Sequence, residues 1–389
     1  MNYPLYLDYN ATTPCDQDVV DSMLPYFTVD FGNASSEHHP YGWVAKEAIE
    51  DATLHISSLL KIDEKEIIYT SGSTESINAV LKGVYRKLKH KGNQILTVKT
   101  EHKATLDVCE YLQEEGADVT YLDVDGNGLI DLNALALAIS DNTLIVSVMY
   151  ANNETGVIQP LEAIAKICKQ KNTLLFSDAT QALGKIPLNN FFSWVDFACF
   201  SAHKIYGPKG IGFTFAKLES QASLQSFIQG GGQQRKLRGG TYNTTAIVGM
   251  AKAINLGIYN LQAERDRLSN LRNQLEKGLS LIEEATINGK KSDRLCNTLN
   301  ISFEYVDGQQ LLAALSRNIA VSNGSACNSA AINPSHVLTA MGIGRNLALS
   351  TLRISLGKYT TEEDIQQAIL IITKEVAKQR ASNLLWDRR

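Results

Sequence analysis

No run of apolar residues in this chain approaches the roughly 20 in succession that a membrane-spanning helix needs. The opening Met1-Asn2-Tyr3-Pro4 has neither a basic region nor an apolar one behind it, so no secretory signal is expected and the protein is assigned to the cytoplasm. There is no excess of basic charge. Lys and Arg number 37 against 41 Asp and Glu, a net charge of -4, and no basic cluster marks a nucleic-acid surface. The six cysteines (Cys15, Cys109, Cys168, Cys199, Cys296 and Cys327) form no CxxC pair and no Cys/His spacing suited to a metal. In a reducing compartment they are free thiols. Internal repeats and low-complexity tracts are missing too, and the P-loop spacing GxxxxGK[ST] occurs nowhere.

The composition that remains is that of an ordinary globular protein, 44% hydrophobic and 20% charged. At 389 residues the chain exceeds one typical core, so two domains are expected. Strands over 66–72, 94–102, 119–124, 173–181 and 195–204, and another beginning at 144, alternate with helices over 73–88, 104–116 and 161–172. A helix with one apolar face covers 44–60, and another starts near Asp16. Residues 210–216 read as a return strand reached by a tight turn, hence antiparallel. Repeated βα units predict an α/β fold with a mostly parallel sheet covered on both faces. From about 253 to 281 a single long amphipathic helix is expected, followed by a smaller α+β part with strands over 297–304 and 351–357 and a last helix from Thr361. The VDGNG stretch at 124–128 reads as a β-turn, because its glycine falls out of register for a calcium loop.

Polar residues cluster where apolar strands end. Phe197 to Ser201 leads into Ala202, His203 and Lys204, then Gly207, Pro208 and Gly210. A lysine at a strand's carboxyl end, partly desolvated, can lose its proton and form an imine with a carbonyl; a plain surface lysine is the other reading. Ser71-Gly72-Ser73-Thr74 between strand and helix is either a phosphate cradle or an N-cap. Asp178, with Gln181 three residues on, could hold a proton on a pyridine nitrogen or cap a helix. His102 could stack on a planar ring and move protons, or simply pack. Asn153 could hydrogen-bond a cofactor oxygen, though ANNETG is also a good turn. The glycine-rich stretch 230–243 suits a phosphate or a partner chain as well as it suits a solvated loop. Arg353, inside an apolar strand, needs an anion, either a ligand carboxylate or a structural acid. Cys327 sits among small polar residues in NGSAC, unlike the other five, and reads as a thiol on a mobile loop able to deliver a nucleophile.

Taken in chain order, YLDYNATTP, FGNASSEHHPYGW, SGSTES, TEHKA, NNETG, SDATQ, SAHKIYGPKG, GGGQQ…RGGT, NGSAC and RISLG resemble the pyridoxal-phosphate-dependent cysteine desulfurases of the NifS/IscS kind, in the aminotransferase class V group. The resemblance implies a fold-type I enzyme. Its large domain, 16–257, would carry a mostly parallel seven-stranded sheet. Its small α+β domain, 1–15 with 258–389, would carry a mobile catalytic loop over about 320–334. It implies Lys204 as the Schiff-base lysine, His102 as the stacking acid/base, and Asp178 at the pyridine nitrogen. Asn153 and Gln181 would face the ring hydroxyl. Ser73, Thr74, Ser201 and His203 would hold the phosphate, with Thr241 supplied by the other subunit of a homodimer. Arg353, with Asn153, would bind the substrate, Arg353 taking its carboxylate.

The implied reaction converts L-cysteine to L-alanine, leaving a persulfide on Cys327. That sulfur passes to an acceptor such as an iron–sulfur scaffold, or toward thio-cofactor or tRNA synthesis, and transient cluster ligation through Cys327 with the scaffold is a further implication. A selenocysteine lyase, another class V enzyme, or a non-catalytic sulfur-pathway scaffold are the competing readings. Two positions depart from the family pattern: Ala34, where proline is usual, and Gln234, where glutamate is common.

Overall fold

The structure is a computed structural model that describes residues 3–323 and 333–386. After β1 (Leu5–Tyr6), seven strands build one sheet: β2 (Ile67–Thr70), β3 (Gln94–Val98), β4 (Asp118–Leu122), β5 (Thr143–Ser147), β6 (Leu174–Asp178), β7 (Phe197–Ser201) and β8 (Gly212–Ala216). Their order is β2-β8-β7-β6-β5-β3-β4. Only β8 runs against its neighbours, as the tight turn before it required. The remaining neighbours pair in parallel.

Side chains alternate across these strands, and both faces are covered, so the strands read as unbroken apolar runs. Ile95, Ile145, Phe176, Phe197 and Cys199 pack with the helices Ser73–Leu88 and Lys103–Glu114. Their neighbours of opposite parity, Leu96, Val146, Leu175, Ala198 and Phe200, pack with Pro40–Leu60, Leu161–Gln170 and Thr244–Tyr259. Phe197 and Phe200 are fully buried, one on each face. Each such burial is worth about 2–3 kcal/mol relative to exposure. Ala34, the residue without the usual proline, packs against the second of these cores.

The single helix expected over 253–281 is two. Thr244–Tyr259 and Leu261–Leu279 meet at Asn260, whose φ of -104° and ψ of 12° break the helical path. The physical reason is that they serve different cores. Ile247, Met250 and Ile254 point into the large sheet's core, whereas Leu268, Leu271, Leu275 and Leu279 belong to a second one. One straight apolar stripe cannot face both. The start of the first helix hid in the glycine-rich stretch, where the Asn243 side chain caps it by accepting from the Ala246 N–H.

The second core lies under β9 (Ala285–Ile287), β10 (Thr298–Phe303) and β12 (Thr351–Ser355), an antiparallel sheet with β10 in the middle. The helix Glu362–Ala381 covers it, started by a capping box between Thr361 and Asp364. The N-terminal arm joins this part: β1 pairs in parallel with β11 (Ile319–Ala320), and Leu7 is buried in the same core. The 124–128 stretch forms its expected turn, with the Gly128 N–H donating to the Asp125 carbonyl at 2.9 Å.

Candidate active site

The parallel strands of the large sheet deliver polar residues to one side, at their carboxyl ends, where open α/β sheets bind ligands. A cavity of about 770 Å³ lies there. Ser73, Thr74, His102, Asn153, Asp178, Gln181, Ser201, His203, Lys204 and Arg353 all line it, although they span 280 positions of sequence (353 − 73). Thr241 does not line it and is exposed on the single chain. Cys327 lies outside the described residues.

Lys204 ends a short 3-10 turn that follows β7. Its ammonium donates to the carbonyls of Asn10 at 2.8 Å and Ala11 at 2.6 Å. Burial pulls its pKa down to about 8, and the Arg353 charge works in the same direction against the pull of Asp178 and Asp8. Asp178 ends β6, is buried, and accepts the Thr180 N–H at one oxygen, 2.9 Å away. His102 caps the helix behind it by accepting the Ala104 N–H at Nδ1. In the neutral ring the proton therefore sits on Nε2. Burial holds His102 below the usual imidazole range, with Asp178 opposing the shift.

The phosphate-cradle reading of Ser71–Thr74 gains over the N-cap reading. The N-cap of the helix Ser73–Leu88 is Gly72 at φ +146°, a conformation that favours glycine, and no side chain caps the helix end. The first helical N–H groups thus remain available to an anion. Gly212, beside Gly72 in the sheet, could not carry a side chain: a Cβ would lie 2.2 Å from the Phe200 carbonyl and 2.8 Å from Gly72 Cα. Ser73 Oγ meets Thr180 Oγ1 at 2.5 Å, and His203 Nδ1 meets Thr12 Oγ1 at 3.1 Å. Burial, then Lys204 and Lys209, pull His203 down to about 4, so it is neutral near pH 7.

Arg353 has the structural acid of one reading and lies in the cavity where the other reading needs it. It lines the cavity, yet its Nη2 already donates to Asp8 Oδ1 at 2.7 Å, and Nη1 to the Asn153 carbonyl at 3.3 Å. Its Nε is buried without a partner among the described residues.

Sequence reasoning missed several residues here. The Asn10 carbonyl accepts from both Lys204 and Gln181, while its side chain donates to Thr298 Oγ1 at 2.9 Å. Lys185 Nζ donates to Gln181 Oε1 at 2.6 Å, which leaves the amide nitrogen of Gln181 as the donor toward the site. Burial takes Glu101, behind His102, up to about 8, although the Met149 N–H favours its charged form. Glu154 accepts the Ser335 hydroxyl at 2.5 Å, and burial raises its pKa too. The motif LYLDYNATTP was the only available signal for Asp8 and Asn10, since no periodicity marks them.

The donor set fits pyridoxal phosphate. It combines a lysine of lowered pKa, a buried carboxylate lining the cavity, uncapped helix N–H groups beside two serines and a threonine, and an amide fixed as a donor. Cys15, Cys109, Cys168, Cys199 and Cys296 are free, all but Cys15 buried, and burial raises each thiol, which keeps them unreactive.

The family model for class-V aminotransferases matches residues 5–368. Cysteine desulfurase IscS of Histophilus somni (strain 2336) is 46% identical over 389 residues, covering 100% of this chain and 96% of that protein. Its counterpart from Shewanella denitrificans is 43% identical at the same coverage. Among solved structures, a NifS-like protein superposes with a TM-score of 0.89 at 38% identity, covering 96% of this chain and 100% of the other. A NifS-like protein from Rickettsia africae gives a TM-score of 0.85 at 31% identity, with the same coverage.

Proposed function

The chain belongs to the class-V aminotransferases and, within them, to the cysteine desulfurases of the NifS/IscS kind; from that premise we propose how its own residues carry the reaction. It is a pyridoxal-phosphate-dependent cysteine desulfurase. The observation that carries the residue assignment is the single cavity lined by Lys204, His102, Asp178 and Arg353 together.

When bound, pyridoxal phosphate supplies an electron sink for the charge left when a proton leaves the substrate α-carbon. Lys204 anchors the cofactor, and its lowered pKa makes it the group able to accept that proton near neutral pH. His102 offers a proton at Nε2. The Asp178 carboxylate holds the ring nitrogen protonated. Gln181, oriented by Lys185, and Asn153 serve the ring hydroxyl. Ser73, Thr74, Ser201 and His203, with the helix N–H groups, hold the phosphate. Arg353 takes the substrate carboxylate, with Asn153 alongside.

The thiolate of Cys327 bonds to the substrate sulfur as the carbon–sulfur bond breaks. The electron pair of that bond stays with carbon, which takes a proton and leaves as the methyl group of alanine. The chain itself supports this reach. Ser322 lines the cavity and bridges to Arg353, and Cys327 follows five positions later. Five residues span at most roughly 17 Å.

The persulfide sulfur passes to an acceptor protein, in our reading an iron–sulfur scaffold, with transient cluster ligation through Cys327. We read the enzyme as a cytoplasmic homodimer. Five free cysteines support a reducing compartment. Exposed Phe27, Phe31, Tyr41 and Trp43 support a covering second copy. The domain division at 16–257 and 1–15 with 258–389 belongs to the same proposal, and the separate apolar cores support it.

The test is alanine and sulfide release from L-cysteine in the presence of a reductant. Wild type releases both. Cys327→Ala loses both while keeping the visible absorption of the bound cofactor. Equal turnover in the two proteins removes Cys327 from the reaction.

A further inference from the structure

Arg353 presents two edges on which a carboxylate can sit with two hydrogen bonds, Nε with Nη2 and Nη1 with Nη2. Both use Nη2. In this structure Nη2 is taken by Asp8 Oδ1 at 2.7 Å, in an ion pair whose side chains are 7% and 20% exposed. Nη1 reaches only a carbonyl, at 3.3 Å, and Nε is buried with no partner among the described residues. An incoming carboxylate therefore meets an arginine whose charge is already balanced by Asp8, with the Asp8 carboxylate standing at the nitrogen that both edges share. Nη2 has a hydrogen on each edge, so bidentate capture sets two carboxylates against one nitrogen, and their repulsion is relieved when Asp8 turns away. Asp8 also lines the cavity, so its side chain has open space to turn into once released.

We propose that Asp8 is a built-in competitor for the substrate carboxylate, holding Arg353 Nη2 until an amino-acid carboxylate takes its place. The inference rests on the reading of Arg353 as the carboxylate residue. Asp8 thereby sets how tightly substrate binds and discriminates against ligands without a carboxylate, which gain nothing by displacing it. The arm that carries it is fixed: the Tyr6 hydroxyl donates to the Asp8 carbonyl at 3.0 Å, and the Ala11 N–H donates to the same oxygen at 2.9 Å. The exchange therefore needs a side-chain rotation and no movement of the backbone.

The experiment is calorimetric binding to purified holoenzyme of 3-mercaptopropionate, which has carboxylate and thiol but no amino group, with cysteamine, which lacks the carboxylate, as control. Asp8→Asn keeps shape and removes charge. It tightens 3-mercaptopropionate binding on the order of tenfold, a modest share of the coupling seen between close buried charges, and leaves cysteamine unchanged. Arg353→Met weakens 3-mercaptopropionate, and the double variant Asp8→Asn, Arg353→Met shows no gain over Arg353→Met alone. Asp8→Ser carries the same measurement where Asp8→Asn does not fold, as read from a thermal melt. If Arg353→Met weakens binding while the Asp8 variants bind 3-mercaptopropionate no tighter than wild type, Asp8 only positions Arg353 and the proposal is overturned. If Arg353→Met has no effect, the assignment of Arg353 itself fails, and this inference with it.

Discussion

A lysine can act on a carbonyl only as the free amine, and at Lys204 the surroundings supply it. The Asn10 and Ala11 carbonyls favour the ammonium, but burial and the Arg353 charge outweigh them and bring the pKa to about 8. At pH 8 about half of such a group is neutral, against well under a hundredth for an ordinary lysine near 10.4. Recombination of apoenzyme with pyridoxal phosphate, followed by visible absorption, should therefore accelerate from pH 6.5 through 8 and level off by about pH 9. A rate still climbing beyond pH 10 would mean that Lys204 titrates as an exposed side chain.

Lys204 was legible in the sequence because an apolar strand followed by glycines announces a strand's end. Asn10 and Lys185 were not. Asn10 acts through its carbonyl on a residue 194 positions away, and Lys185 acts through Gln181; neither relation leaves a local pattern. Asp8 was missed for the same reason: its partner Arg353 lies 345 positions on.

Among the elements, β2 poses a problem that the sequence does not reveal. It sits at the end of the seven-stranded order, where a strand leaves backbone groups unpaired, yet all four of its residues are buried. Gln234 resolves it. Its side-chain oxygen accepts the Tyr69 N–H at 2.6 Å and its nitrogen donates to the Tyr69 carbonyl at 2.9 Å, so one amide side chain stands in for a neighbouring peptide. To bring it there, Gln234, Arg235 and Lys236 all adopt positive φ, at 47°, 58° and 66°, and each costs roughly 1–2 kcal/mol. The departure from the glutamate common in this family thus has a local consequence here.

A carboxylate cannot donate to the Tyr69 carbonyl. Gln234→Glu should lower stability by about 1–3 kcal/mol at pH 8, the cost of an unmatched buried acceptor. The gap should narrow toward pH 5, because burial raises the new acid's pKa and its protonated form donates again. Urea unfolding at the two pH values measures this; equal midpoints for both proteins at pH 8 would show that the strand edge does not depend on the amide. The glycine-rich stretch 230–243 read from sequence as either a solvated loop or a ligand loop, and no pattern could show that one glutamine in it completes a sheet edge. The break at Asn260 was hidden likewise, since two amphipathic stripes in succession look like one until the cores they face are known.

For the whole molecule, the alternation of strands and helices predicted the sheet and its covering layers, while the threading of the N-terminal arm depended on contacts between the chain's two ends. That arm pairs with β11 and places Asp8, Asn10 and Thr12 in the cavity. One residue that the resemblance assigns to the site nevertheless stays apart. On a single chain Thr241 is exposed and does not line the cavity. The segment from Phe27 to Trp43 leaves Phe27 61%, Phe31 62%, Tyr41 57% and Trp43 54% exposed, and the rings of Phe31 and Tyr41 lie 5.3 Å apart. Apolar groups gathered in this way mark a surface that another protein covers. If a second copy covers it and brings its own Thr241 to the phosphate, dimerisation and cofactor affinity are one property. Trp43→Glu, which places a charge in that patch, should shift sedimentation from dimer to monomer and weaken pyridoxal-phosphate retention on dialysis by on the order of tenfold, while the thermal melt of the apoenzyme at low concentration changes little. A monomer that keeps its cofactor as tightly as the dimer would remove Thr241 from the phosphate site, and the helix N–H groups at Gly72 with Ser73, Thr74, Ser201 and His203 would then have to hold the phosphate alone.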